Sequence, residues 1–200
     1  MNVKEMRLPD KCFKEEPRTQ AVDTVVVHHI SALNWDKRTE GDLQKICNAG
    51  ITLSPLPPDQ RKFSVDYCFA QLVAAELSYH YLIDRDGGAH RLVDDSRVAW
   101  HAGASQMSVG PLREWVNSFS IGISLIATHP KDDPTLEKDG ILPYTDAQYQ
   151  SLKQLIQHLC SKYPIRYVVG HDEIAPTRKT DPGTHFQWSR IRNADFSPHL

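Results

Sequence analysis

The sequence predicts a single α/β domain: a central mixed β-sheet flanked by α-helices. Three observations carry this reading. Asp23–Ile30 (DTVVVHHI) is a continuous β-branched run, the mark of a buried strand. Tyr149, Leu152, Leu155, Ile156, Leu159 and Cys160 recur on one face at helical period. Strand and helix patterns alternate along 200 residues with no internal repeat and no Gly/Ser linker. A chain of that length builds one core without staples.

Taken in order, the polar residues 1–20 read as an N-terminal arm, with the domain spanning 21–200. Residues 34–78 are mixed: a short helix near Asp42–Asn48, a Pro-rich loop at Ser54–Asp59, then a helix over Val65–Ala75. Tyr79–Ile83 and His90–Val93 flank Asp84-Arg85-Asp86-Gly87-Gly88, a hairpin signal that makes the sheet mixed. Phe119–Thr128 reads as another strand. Thr145 and Gln148 have capping-box spacing at the start of the clearest helix, which ends at Pro164. Tyr167–Val169 then begins a further strand.

Composition narrows the function. Lys plus Arg is 23 against 25 Asp plus Glu, a net of −2, so the basic excess of a phosphate-neutralising, nucleic-acid-binding protein is missing. No apolar run approaches the ~20 residues of a membrane span. The N-terminus lacks the apolar stretch of a signal peptide, which points to the cytoplasm, or to a secreted or periplasmic location had a leader been removed. Cys12, Cys47, Cys68 and Cys160, at spacings of 35, 21 and 92, fit no metal-finger pattern and read as free thiols.

Ten histidines in such a chain prompt a search for a site. His28-His29 ends the first strand, and alternation sends the two rings to opposite faces. In Gly170–Gly183 (GHDEIAPTRKTDPG) a strand again runs straight into a histidine, His171, here with Asp181 ten residues on. The plain alternative is a long turn. Lys179 and Asp181, two apart, share a side of an extended segment; a surface ion pair would look the same. Together His28, His171 and Asp181 make a two-His, one-carboxylate set. Three such ligands with an open fourth position suit a catalytic zinc, and other divalent metals as well. Tyr79-His80 enters the hairpin, and Trp100-His101 lies in a small-residue loop. That loop is either a packed corner or an aromatic ledge for a sugar or peptide.

Four segments, VVVHHIS, SYHYLIDRDG with RVAWHAG, NSFSIGISL, and GHDEIAPTRKTDPG, occur in one order across roughly residues 22–190. In this they resemble the zinc-dependent N-acetylmuramoyl-L-alanine amidases of the type 2 family, relatives of phage lysozyme-amidases and peptidoglycan recognition proteins. The length of the 34–78 insertion looks most like the cytoplasmic cell-wall-recycling amidases, which act on anhydro-muramyl peptides. The resemblance implies zinc held by His28, His171 and Asp181, with Lys179 as the active-site lysine. It also implies peptidoglycan fragments or muropeptides as partners, with Trp100, His101 and Asn117 as glycan or peptide contacts. One position departs from it. Many members carry a glutamate where Ser124 stands, and a serine hydroxyl cannot replace a carboxylate base. The phage branch lacks that glutamate too, and uses a tyrosine at the position matching Tyr79. The implied activity is hydrolysis of the bond between N-acetylmuramic acid, or its anhydro form, and L-alanine. Ser124 keeps a second reading open, a non-hydrolytic peptidoglycan-binding module that retains the metal site; a zinc peptidase is a third.

Overall fold

The computed structural model describes residues 2–107, 109–138 and 142–191. In chain order they form β1 (Val3–Glu5), β2 (Phe13–Lys14), β3 (Thr24–Ile30), α1 (Glu40–Asn48), α2 (Pro58–Arg61), α3 (Val65–Ala75), β4 (Tyr81–Ile83) and β5 (Ala89–Arg91). There follow β6 (Val98–Ala99), β7 (Gln106–Met107), β8 (Arg113–Glu114), β9 (Ser120–Ile126), α4 (Thr135–Lys138), α5 (Asp146–Lys162), β10 (Tyr167–Gly170) and α6 (His171–Ile174).

The β-branched run becomes β3, flanked by β9 and β10 in a six-stranded sheet ordered β1-β5-β4-β9-β3-β10. Strands β4, β9, β3 and β10 run parallel, and the β4–β5 hairpin supplies the antiparallel pair. The sheet is mixed, as the hairpin signal predicts. Its turn is braced from inside: the Asp84 carboxylate accepts from the backbone N–H of Asp86 (3.0 Å) and Gly88 (2.7 Å). Gly87 turns there at φ +85°, and a Cβ on it would lie 2.8 Å from the Ala147 carbonyl oxygen.

Alternation along the strands divides the core. Val25, Val27, Ile121, Ile123 and Leu125 meet the Leu152, Leu155, Ile156 and Leu159 stripe of α5. Each such aliphatic side chain contributes roughly 1.5–3 kcal/mol by leaving water. Cys160 sits half-buried at the margin of this cluster, and all four cysteines are free. The predicted capping box is present at Thr145, and Gln148 does more than cap. Its buried amide also donates to the carbonyls of Ile83 (3.3 Å) and Ile126 (3.0 Å), tying the helix start to two strands. On the opposite face, Ile30, Leu82 and Ile126 pack on Cys68, Leu72 and Val73 of α3. Beside them Val26 and Val169 are covered by Ala102, Met107, Val116 and Phe119. His28 shares this face and falls between the two clusters.

Three segments depart from the sequence reading. The Pro-rich loop contains one turn of helix, α2, which starts at Pro58, where a missing N–H costs nothing. The turn expected after β10 begins with the short helix α6, whose Glu173 reaches back to the Gly170 N–H at 2.5 Å. Residues 2–20 are woven into the domain. β1 extends the sheet beside β5, Leu8, Cys12 and Phe13 are buried, and the Arg18 guanidinium donates to the carbonyls of Asp95, Arg97, Ser118 and Ser120. Among the described residues no helix is long and apolar enough to cross a membrane.

Candidate metal centre and cleft

The carboxyl ends of parallel strands are where an open α/β sheet leaves room for a ligand. Both histidines of interest stand there. His28 lies near the end of β3, and His171 follows β10, which pairs with β3 in parallel register. The two chain segments therefore deliver their rings to one point. The loop after α6 returns Asp181 to the same point, where its backbone carbonyl accepts from the Asp172 N–H at 2.8 Å. His29 takes the other direction and lines a separate hollow with Asp132 and Thr128.

The three ligand atoms form a nearly equilateral triangle. His28 Nδ1 is 3.1 Å from His171 Nδ1 and 3.0 Å from Asp181 Oδ2, and His171 Nδ1 is 3.1 Å from the same oxygen. His28 and His171 are buried, while the Asp181 side chain keeps 12% of its surface exposed. Proton accounting tests whether a cation fits. His171 Nε2 lies 3.2 Å from the Ala102 carbonyl, which can only accept, so that nitrogen carries the proton. A His171 ring carrying only that proton turns a bare lone pair toward a carboxylate oxygen. Such a juxtaposition suits a cation in contact with both atoms, and ligand atoms about 3 Å apart suit bonds of about 2 Å. The group could hold a metal ion.

Electrostatics agree with that use. Burial pushes His28 down to about 4 despite the nearby Asp181 carboxylate, so its ring is neutral and its lone pair available. Burial alone would raise the Asp181 carboxyl, but the close imidazoles of His171 and His28 outweigh it and hold the group below the usual carboxylate range. Asp172, next to His171, is pushed up to about 6 by burial and by Glu173.

Of the remaining residues singled out from sequence, the Tyr79 ring lies 4.9 Å from the His28 ring, centroid to centroid. Burial drives its phenol well above the ordinary value, tempered by the neighbouring Ser124 hydroxyl. Ser124 pairs with His28 across β9 and β3. Lys179 lines a cavity of about 360 Å³ together with Trp100, His101, Trp115, Asn117 and Arg178, and its charge bears on His28. Trp100 is 37% exposed there. Asn117 is buried, and its Oδ1 accepts from the N–H groups of His101 (3.2 Å) and Ala102 (2.8 Å), bracing the loop. Both His101 ring nitrogens are engaged, one with His28 and one with Ser120.

Sequence reasoning missed Trp115 and Arg178. Trp115 is 69% exposed and holds φ +59°, a conformation that costs a bulky residue energy. It lines both the cavity that Lys179 lines and a larger one of about 560 Å³ whose wall includes Gln106, Leu112 and Ile174. Neither hollow is lined by the ligand residues themselves, but the smaller one has in its wall His101, whose ring bonds to His28, and Lys179, whose charge bears on it, so the smaller one is the better reaction chamber. A Trp two residues before Asn117 is the sequence signal that could have flagged it.

A two-histidine, one-carboxylate centre beside an aromatic, cationic cleft at the strand ends has the make-up of a mononuclear metal hydrolase. Comparison with known proteins makes this specific. Residues 18–184 match the family model described as N-acetylmuramoyl-L-alanine amidase, and the chain belongs to that family. It is 35% identical over 188 residues to the 1,6-anhydro-N-acetylmuramyl-L-alanine amidase AmpD of Escherichia coli, covering 93% of this chain and 89% of that protein. The crystal structure of a Se-Met AmpD derivative superposes with a TM-score of 0.64 at 31% identity, covering 94% of this chain and 92% of that one. The amidase AmiD from E. coli, solved in complex with the substrate anhydro-N-acetylmuramic acid-L-Ala-D-gamma-Glu-L-Lys, gives 0.50 at 25% identity, covering 89% and 60%.

Proposed function

We propose that this chain hydrolyses soluble 1,6-anhydro-N-acetylmuramyl peptides at the amide between the lactyl group and L-alanine, with zinc held by His28, His171 and Asp181. The observation that carries this is the triangle of three acceptor atoms beside a cleft bearing two indoles and two cations. Near full-length similarity to an anhydro-muramyl amidase supports the soluble substrate over polymeric wall. When bound, the zinc supplies a water nucleophilic at neutral pH and polarises the amide carbonyl.

The chain's own groups do the rest. The Tyr79 ring packs against the His28 ring, and its hydroxyl is the group that would orient the attacking water, the task a carboxylate would perform at position 124. The Lys179 ammonium meets the negative charge that develops on the amide oxygen. Trp100 offers a flat apolar face to the sugar, and the His101–Ala102 backbone, held by Asn117, shapes the wall. Cleavage leaves a lactyl carboxylate on the sugar and a free α-amine on L-alanine.

Parallel digestion of a purified anhydro-muramyl tripeptide and of intact sacculi tests this. Release of L-Ala-peptide from the soluble substrate, and little from sacculi, is the expected result. Equal or preferred digestion of sacculi overturns the soluble assignment. Binding of either substrate without product would establish the non-hydrolytic module that Ser124 leaves open, and cuts between amino acids would establish a peptidase.

A further inference from the structure

Behind His28 runs a chain of hydrogen bonds whose far end is fixed. The Ser120 hydroxyl lies 2.6 Å from the Val116 carbonyl, which can only accept, so its single proton points there. Toward His101 Nε2, at 3.1 Å, Ser120 Oγ is left only to accept, and His101 Nε2 carries a proton. The singly protonated His101 ring then has its lone pair at Nδ1. That atom faces His28 Nε2 at 3.0 Å, so His28 Nε2 carries the proton. His28 Nδ1, the atom in the ligand triangle, is bare. One carbonyl thus determines the tautomer of a residue three links away.

The fold makes room for this chain. Gly122, on β9, has the His101 ring directly against it: a Cβ there would stand 2.5 Å from His101 Cγ and 2.8 Å from Cδ2 and Nδ1. Asn117 holds the His101 N–H from the other side at 3.2 Å. The ring itself is buried.

We propose that His101, backed by Ser120 and seated on Gly122, is a positioning residue that fixes the tautomer and ring plane of His28 so that Nδ1 faces the cation. Its part in binding is exerted through His28 and not through substrate. The proposal rests on the metal reading above and goes beyond it in assigning these three residues.

The test is zinc affinity, measured by competition with a chromogenic chelator, for the wild type, His101→Ala, His101→Asn and Ser120→Ala. Partners of this kind typically govern about 10–100-fold in metal affinity. His101→Ala is expected to lose that factor. His101→Asn, whose side-chain oxygen can accept from His28 Nε2, is expected to recover most of it. Ser120→Ala should lose less than His101→Ala. With zinc saturating, KM for the anhydro-muramyl peptide should stay near wild type in Ser120→Ala, whose side chain does not line the cleft. Nitrogen-15 spectra of the metal-free protein supply a second readout: one His28 tautomer, protonated at Nε2, in the wild type, and a mixture in Ser120→Ala. Wild-type zinc affinity in His101→Ala with a raised KM would make His101 a substrate contact and overturn the proposal. Equal losses in His101→Ala and His101→Asn would reduce the ring to packing and overturn it too. Should His101→Ala fail to fold, unchanged zinc affinity and an unchanged His28 tautomer in Ser120→Ala would refute the chain by themselves. A wild type that binds no zinc is a different failure, that of the metal reading, and shows before any variant is made.

Discussion

His28 and Trp115 belong to two halves of one site built on opposite terms. His28 is wholly buried on β3, a strand paired on both sides, both ring nitrogens are engaged, and its neighbours on β9 and β10 are set by strand register. Trp115 stands 69% exposed in a loop, at a backbone angle its side chain disfavours. The buried half determines where the ligand atoms converge. The loop half offers surface that a substrate can cover. Rigidity belongs where atoms must meet within tenths of an ångström, and exposure where a large, variable ligand must enter and leave.

That contrast predicts where substitutions are most damaging. Asp181→Asn should abolish metal retention and measurable hydrolysis together, because it removes the charge that both histidines face. The same variant should lose the metal's contribution to stability. A ligand at about 1,000 times its dissociation constant stabilises by about 4 kcal/mol, so chelation should lower the Tm of the wild type and leave that of the variant unmoved. Calorimetry with and without chelator decides this. An identical response in the two proteins would place the metal elsewhere.

Tyr79→Phe and Lys179→Met come next. Neither side chain belongs to the ligand triangle, though the Tyr79 ring packs against His28 and the Lys179 charge bears on it, so metal content should be retained in each. Loss of the Tyr79 hydroxyl should lower kcat by roughly 100-fold or more, the usual range for a group that handles a proton. Lys179→Met should lower kcat and kcat/KM together by about 100- to 1,000-fold, as expected when a charge is met only in the transition state. Normal kcat with a raised KM would instead make Lys179 an anchor for a peptide carboxylate. Full turnover by Tyr79→Phe would pass the water to another group, with Asp172 or Glu173 next to be tested.

The same division explains what was legible in the sequence. β3 and α5 announce themselves because their patterns are local: a β-branched run, and a stripe at helical period behind a capping box. His28 and His171 were visible because each directly follows such a run. The remainder depends on contacts made only after folding. Nothing local to Ser120 or Gly122 says that a ring from position 101 will lie against them. Arg18 reads as one more charge in a polar arm until four carbonyls from residues 95–120 surround it. The short α6 escaped notice because four residues are too few to show a period, and its cap is a glycine with Glu173 reaching back. The conformation of Trp115 is likewise imposed by its surroundings, among them the bond from its N–H to the Ser105 carbonyl.

The smallest expected effect tests the loop half most directly. If Trp115 is held at φ +59° because its indole is needed in the cleft, its stability cost and its function should separate under substitution. Trp115→Ala and Trp115→Gly both remove the indole and should both raise KM for the anhydro-muramyl peptide several-fold, with kcat little changed, because binding and not chemistry is lost. They should differ in stability. Alanine keeps the Cβ that makes this angle unfavourable, and glycine removes it. Glycine's freer unfolded chain offsets part of the relief, so the glycine variant should be the more stable of the two by about 1 kcal/mol, or roughly 2–4 °C in Tm for a chain of this size. Comparing the two variants cancels the lost indole contacts, which neither retains. Equal melting temperatures would mean that the loop relaxes freely around this residue. Equal melting temperatures together with an unchanged KM would remove Trp115 from the cleft's working surface, leaving Trp100 as its aromatic wall.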